Sequence, residues 1–204
     1  MSITLGIIIT TVIASLYAFN DPSLKYKLMF SPYRATQQGE WYRSFTHAFI
    51  HADYMHLFFN MYVLYGFGQI EEIYGIIFDD KGWYYYVLLY LGGILFATLP
   101  SMLKHRDNDS YWSLGASGAV SAVLFSFIVI LPTAGLHLFF IPIPIPAFVV
   151  GIGYLAYEYA MDKRSGGRIA HDAHFYGALY GIVFTLALDY TLTEKFINQV
   201  SNYF

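Results

Sequence analysis

The chain is a succession of apolar runs of membrane-crossing length, and that pattern limits its fold more than any other feature. An apolar run of roughly 17–25 residues spans a bilayer as a helix. Six are read here, at about residues 3–19, 54–77, 83–102, 114–131, 147–161 and 173–192. Composition agrees, since 57% of the 204 residues are hydrophobic and only 12% are charged, about half the charge of an average soluble domain. Twenty tyrosines and 18 phenylalanines suit rings that crowd membrane interfaces. The expected fold class is an all-α membrane protein, a bundle of six transmembrane helices forming a single membrane domain over residues 1–204. The first run is too uncharged at its start, and too clearly one of a set, to read as a cleavable signal.

Several function classes drop out at once. A net charge of −3 gives no basis for nucleic-acid binding. The absence of cysteine removes disulfides, thiolate chemistry and cysteine metal sites. No internal repeat is evident, which argues against a transporter. Neither a cofactor nor a metal is expected.

Two connections are more than turns. Residues 20–50 are rich in Pro, Tyr, Gln and basic side chains and contain Glu40-Trp41-Tyr42-Arg43, which suits a loop lying in the interface beside the bundle. Residues 132–146 hold four prolines in a greasy context (Phe139-Phe140-Ile141-Pro142-Ile143-Pro144-Ile145-Pro146). Proline lacks the N–H that continues a helix, so an extended link is expected there.

The fourth run opens on Leu114-Gly115-Ala116-Ser117-Gly118-Ala119. From Gly115 it has 17 residues before Pro132 stops it, about 25 Å of helix, short of the roughly 30 Å hydrocarbon core. A polar approach over residues 105–113 could dip inward, because non-helical backbone survives at depth only inside protein or beside a wet cavity. Ser117 would then lie on the first turn of a helix at the floor of an aqueous pit. Free helix-start N–H groups there can hold an anion.

The sixth run begins with Ala173-His174-Phe175-Tyr176-Gly177 and continues to Gly181. Ser117, Gly118, Ser121 and Ala122 make a small-residue stripe on the fourth run, and Gly177 and Gly181 make one on the sixth. Such faces let backbones approach closely, and His174, three residues before Gly177, shares that face. GxxxG spacing alone reads as helix–helix packing. A serine on one such helix and a histidine on the other supply a nucleophile and its general base, and ionisable groups at membrane depth are candidates for function. His56 and Asn60, four apart on the second run, both donate hydrogen bonds, as an oxyanion hole requires. Each alone reads equally well as part of an interhelical hydrogen-bonded pair. His51, a turn earlier, reads as structural or as part of the cavity rim.

Taken in order, these motifs resemble those of the rhomboid-family intramembrane serine proteases, from Trp41 to Gly181. Trp41-Tyr42-Arg43 is similar to the family's Trp-Arg loop signature with one tyrosine inserted. His51, His56 and Asn60 resemble its histidine-and-asparagine helix. Gly68-Gln69-Ile70-Glu71-Glu72-Ile73-Tyr74-Gly75 resembles that helix's ending, with Glu71 the better-aligned acid. Gly115-Ala116-Ser117-Gly118 resembles the Gly-x-Ser-Gly nucleophile motif, and His174 with Gly177 and Gly181 the base helix.

The resemblance implies a rhomboid-like bundle with a short central fourth helix and a Ser117–His174 dyad without an acidic third member. It implies an oxyanion held by His56, Asn60 and the Ser117 N–H, with Gly115 as the small residue before the turn. Trp41, Arg43, Glu71, Gly118, Gly177 and Gly181 take structural parts. The expected substrates are transmembrane segments of single-span membrane proteins in the lipid bilayer. The fifth run is the lateral gate, and Glu158 is an acid in it, placed near the interface without a role. Asp172, two residues from His174 and off its face, is not cast as an orienting acid.

Two other readings are weighed. A histidine-box membrane metalloenzyme would use His47, His51, His56, His171 and His174, but helpful carboxylates are few and such a site has no need of Gly-Ala-Ser-Gly. An inactive rhomboid-like binder of membrane segments would have no need of an intact dyad. The expected location is the plasma membrane, with the active-site side facing out of the cytoplasm, as the resemblance implies. The positive-inside rule opposes this orientation. Lys25, Lys27, Arg34, Arg43, Lys104, Arg106, Lys163, Arg164 and Arg168 fall on that side, and only Lys81 and Lys195 on the other.

Overall fold

The computed structural model describes residues 2–137, 143–162 and 171–204. Helix α1 (Ile3–Asn20) starts at Ser2, whose hydroxyl accepts the Leu5 N–H at 3.2 Å, a side-chain cap. Leu5, Ile9, Ile13 and Leu16 leave an exposed apolar stripe along it, as a helix facing lipid would. The loop expected at residues 20–50 is mostly helical. It forms α2 (Pro22–Leu28), α3 (Pro32–Gln37), α4 (Arg43–Thr46) and a 3₁₀ turn at His47–Phe49. Asp21 and Ser31 cap α2 and α3 just ahead of a proline, the position where its missing N–H costs nothing.

The second expected span is two helices. Helix α5 (Tyr54–Phe67) begins with Asp53 accepting the His56 N–H at 2.8 Å, and α6 (Ile70–Phe78) follows after a break at Gly68 and Gln69. Gly68 lies against Thr4 so closely that a Cβ there would collide with its side chain. Helix α7 (Gly82–His105) carries Pro100 inside it. Helix α8 (Ser117–Ile130) has every residue buried except Ser117 and Phe127, and its 14 residues span about 21 Å. Within the link at 132–146, Gly135–Leu136 (β1) pairs antiparallel with Ile145–Pro146 (β2), and Phe139, Phe140, Ile141 and Pro142 lie outside the described residues. Helices α9 (Ala147–Asp162), α10 (His171–Leu188) and α11 (Thr191–Ser201) complete the described chain, α10 and α11 meeting at 113°.

By length and composition, Ile3–Asn20 and the nearly continuous stretch Tyr54–His105 could each cross a membrane. The bent pair α10–α11 would add a third, while Ser117–Ile130 is apolar but short. Each expected run thus overlaps a described helix, the second run two of them.

Small residues set how the bundle packs around α8. On one side Gly93 of α7 lies against Ala119 and Ala122, and Gly118 against Ala97. On the other, a Cβ on Gly177 would run into the Gly118 carbonyl oxygen, and one on Gly181 into that of Ala122. Between lipid-soluble helices such close approach, with hydrogen bonds, drives association. The polar part is a buried cluster in which Tyr74 OH lies 2.8 Å from Ser126 Oγ and 3.1 Å from Thr185 Oγ1, joining α6, α8 and α10.

Candidate active site

Ser117 is the first residue of α8, and the backbone leading into it is held from three directions. Gly115 has φ +120°, a conformation open to glycine and strained for other residues. Its N–H donates to the His47 carbonyl at 2.9 Å. The Ala116 N–H donates to His51 Nε2 at 3.4 Å, and Ser113 pairs with Phe30 through two backbone hydrogen bonds of 2.9 and 3.0 Å. The first loop therefore shapes the turn that presents Ser117. A cavity of about 30 Å³ lined by Phe30, His47, Ser101, Gly115 and Ser117 adjoins it, room for about one water.

Two histidines of this region have tautomers fixed by their partners. His51 accepts at Nε2, so its Nδ1–H donates to Ser15 Oγ at 3.0 Å, and that hydroxyl in turn donates to the Phe49 carbonyl at 3.1 Å. Burial holds His51 down to about pKa 3 and His47 to about 4, so both are neutral. His56 accepts the Ala52 N–H at Nδ1 (3.4 Å), which leaves a proton on Nε2. That Nε2 packs on Gly115, 2.8 Å from where a Cβ would stand. Its donor is thus next to the turn carrying Ser117. Asn60, buried a turn further along α5, donates one N–H to the His56 carbonyl at 2.9 Å.

His174 lies in the first turn of α10. Gly118 and Gly177 touch backbone to backbone, and the Ala173 carbonyl lies 3.4 Å from where a Gly118 Cβ would be. The backbone neighbours of Ser117 and of His174 are therefore in contact where α8 packs on α10.

Sequence reasoning missed the acid. Glu158 of α9, to which the sequence assigned no role, is buried, 4% exposed. Its Oε1 lies 3.1 Å from His174 Nδ1 and its Oε2 2.6 Å from His171 Nδ1. The imidazole implied to work without an acidic partner has one. The signal was present, because an acid inside an apolar helix needs a partner, but nothing in the spacing names it. Asp172 turns elsewhere, accepting from Ser101 Oγ at 3.1 Å and from the Ala173 N–H at 2.8 Å.

The other motif residues hold the frame. Arg43 is buried, pairs with Glu40, and donates to the Tyr26 and Met29 carbonyls at 2.7 and 2.9 Å. Trp41 beside it is exposed. Glu71 accepts the N–H groups of Ile3 and Thr4 at 2.8 and 2.9 Å, a carboxylate at the positive end of α1. Gly118, Gly177 and Gly181 are the contact points described above.

A serine at a helix start, an imidazole on the helix across a glycine contact and a buried acid bonded to that imidazole have the make-up of a serine hydrolase site within an apolar bundle. The Rhomboid domain model matches residues 38–190, which include every one of these side chains, and the chain belongs to the rhomboid family. It is 32% identical over 158 residues to RHOMBOID-like protein 12, mitochondrial, of Arabidopsis thaliana, covering 70% of this chain and 45% of that protein. It is 29% identical over 138 residues to Rhomboid protein 1, mitochondrial, of Saccharomyces cerevisiae, covering 67% and 39%. The chain spans less than half the length of these relatives. Family and apolar helices make it an integral membrane protein. The mitochondrial names of both relatives lend no support to the expected plasma membrane.

Proposed function

We propose that this chain is an intramembrane serine endopeptidase that cleaves transmembrane segments of single-span proteins within the bilayer, on a bundle of six spans. His174 Nε2 takes the Ser117 proton as the hydroxyl oxygen attacks the scissile carbonyl. The Ser117 N–H, His56 Nε2–H and Asn60 amide hold the oxyanion. The imidazolium then protonates the leaving amine, and a water drawn through the small cavity releases the acyl-enzyme with His174 again as base. Glu158 is the positioning residue, fixing Nδ1 as the protonated nitrogen so that Nε2 is free to accept. Substrate enters past α9, which borders an apolar cavity of about 330 Å³ shared with α8, α10 and α11.

The observations that carry this reading are the Gly118–Gly177 backbone contact next to Ser117 and the Glu158 carboxylate on His174 Nδ1. Purified protein incubated with a model single-span substrate is expected to release two fragments, and Ser117→Ala protein none. Cleavage by the Ser117→Ala protein would remove Ser117 as nucleophile, and no cleavage by either would favour a binder of membrane segments.

A further inference from the structure

Glu158, His171 and His174 each offer a ligand atom, and those atoms lie within 4.8 Å of one another. His171 and His174 are three apart on α10 and share a face, while Glu158 reaches them from α9. We propose that these three side chains bind a divalent transition-metal cation, zinc by the character of its donors, which staples α9 to α10 and silences the base. The silencing half rests on the protease reading above, whereas the binding half does not.

The donor set suits the cation. Two imidazoles and one carboxylate are a known three-ligand zinc set that keeps a fourth position open. Tetrahedral zinc separates its ligand atoms by roughly 3.3 Å. Each imidazole Nδ1 already meets its own oxygen of the Glu158 carboxylate, at 2.6 and 3.1 Å, and with one ligand atom per residue inside 4.8 Å no edge has to close by more than roughly 1.5 Å. Glu158 and His171 are 4% and 2% exposed, which shields the charged ligand from water. The His174 side chain is 19% exposed and gives the ion a way in.

Binding and catalysis compete for one ring. As a base, His174 carries its proton on Nδ1, toward Glu158, and keeps the Nε2 lone pair. With metal on Nδ1 the neutral ring has its proton on Nε2, and Ser117 then faces a donor in place of an acceptor. The proton relocates and none is released. The same ion ties the helix read as the substrate gate to the helix of the base, so both steps stop together.

The test uses tag-free, detergent-solubilised protein in metal-free buffer. Ser117→Ala protein, which needs no activity, is titrated with Co²⁺. One equivalent is expected to give visible ligand-field bands that Zn²⁺ abolishes and that His171→Ala removes. In the cleavage assay, Zn²⁺ is expected to inhibit reversibly, with recovery on adding chelator. His171→Ala should raise the half-inhibiting concentration by roughly 10–100-fold, each protein scaled to its own metal-free rate. Absence of the bands, or their survival in His171→Ala, overturns the site. Binding without inhibition overturns the silencing. Protein that cleaves nothing even without metal counts against the protease reading, and the cobalt titration still decides the site.

Discussion

Glu158 sits in an apolar helix with both carboxylate oxygens taken by imidazoles. Replacing it with glutamine keeps the shape but lets an amide N–H face His174 Nδ1, which favours the tautomer that cannot accept from Ser117. Glu158→Gln is expected to lower kcat by roughly 10²-fold or more with KM unchanged, and Glu158→Asp to recover part of the loss. A purely structural role would instead lower the amount of folded protein and leave the kcat of the surviving fraction intact. At this scale Ser117, Gly115 and His174 were legible because local rules reach them: small neighbours, a positive φ, a helix start. Glu158 was visible only as an anomaly, since its partners come from another helix and no local spacing encodes that meeting. The His51 and His56 tautomers likewise depend on Ser15, Ala52 and Ala116, outside any motif.

Between elements, the contact of α8 with α10 decides the geometry. The GxxxG spacing on the sixth run announced a close approach, and the structure gives its partners as the Gly118 and Ala122 carbonyls. Gly177→Val would drive a branched Cβ into the Gly118 backbone, and such overpacking costs about 1–3 kcal/mol. Activity is expected to fall far more than thermal stability, because the wedge separates His174 from Ser117 before it unfolds the bundle. Equal activity in Gly177→Val would mean that this contact does not set the site. The short helices of the first loop had readable starts, Asp21 before Pro22 and Ser31 before Pro32. The break at Gly68 and Gln69 was hidden, because it reflects the packing of Thr4 against Gly68 from a helix 64 residues away.

For the whole molecule, the first loop is a buttress whose histidines are buried neutral. His47 and His51 have folded pKa values of about 4 and 3, from an ordinary 6.5. As pH falls below 6.5 the unfolded chain takes up protons that the folded one refuses, so stability drops through that window and on toward pH 4. By pH 5 the loss is about 2 kcal/mol per histidine. Thermal unfolding in detergent is expected at a clearly lower temperature at pH 5 than at pH 7.5, and His51→Asn should flatten the difference. An unchanged or higher Tm at pH 5 would contradict the buried-neutral assignment. The bundle class was legible because apolar runs report their length directly. The angle between α10 and α11 was not, being set by which faces pack.

The account turns on Ser117 being a nucleophile made reactive by His174. Fluorophosphonate labelling of the folded protein, mapped by mass spectrometry, measures that directly. The expected result is one adduct per chain, on Ser117, that His174→Ala abolishes. An adduct on another residue, or labelling of Ser117 at the same rate without His174, would contradict it.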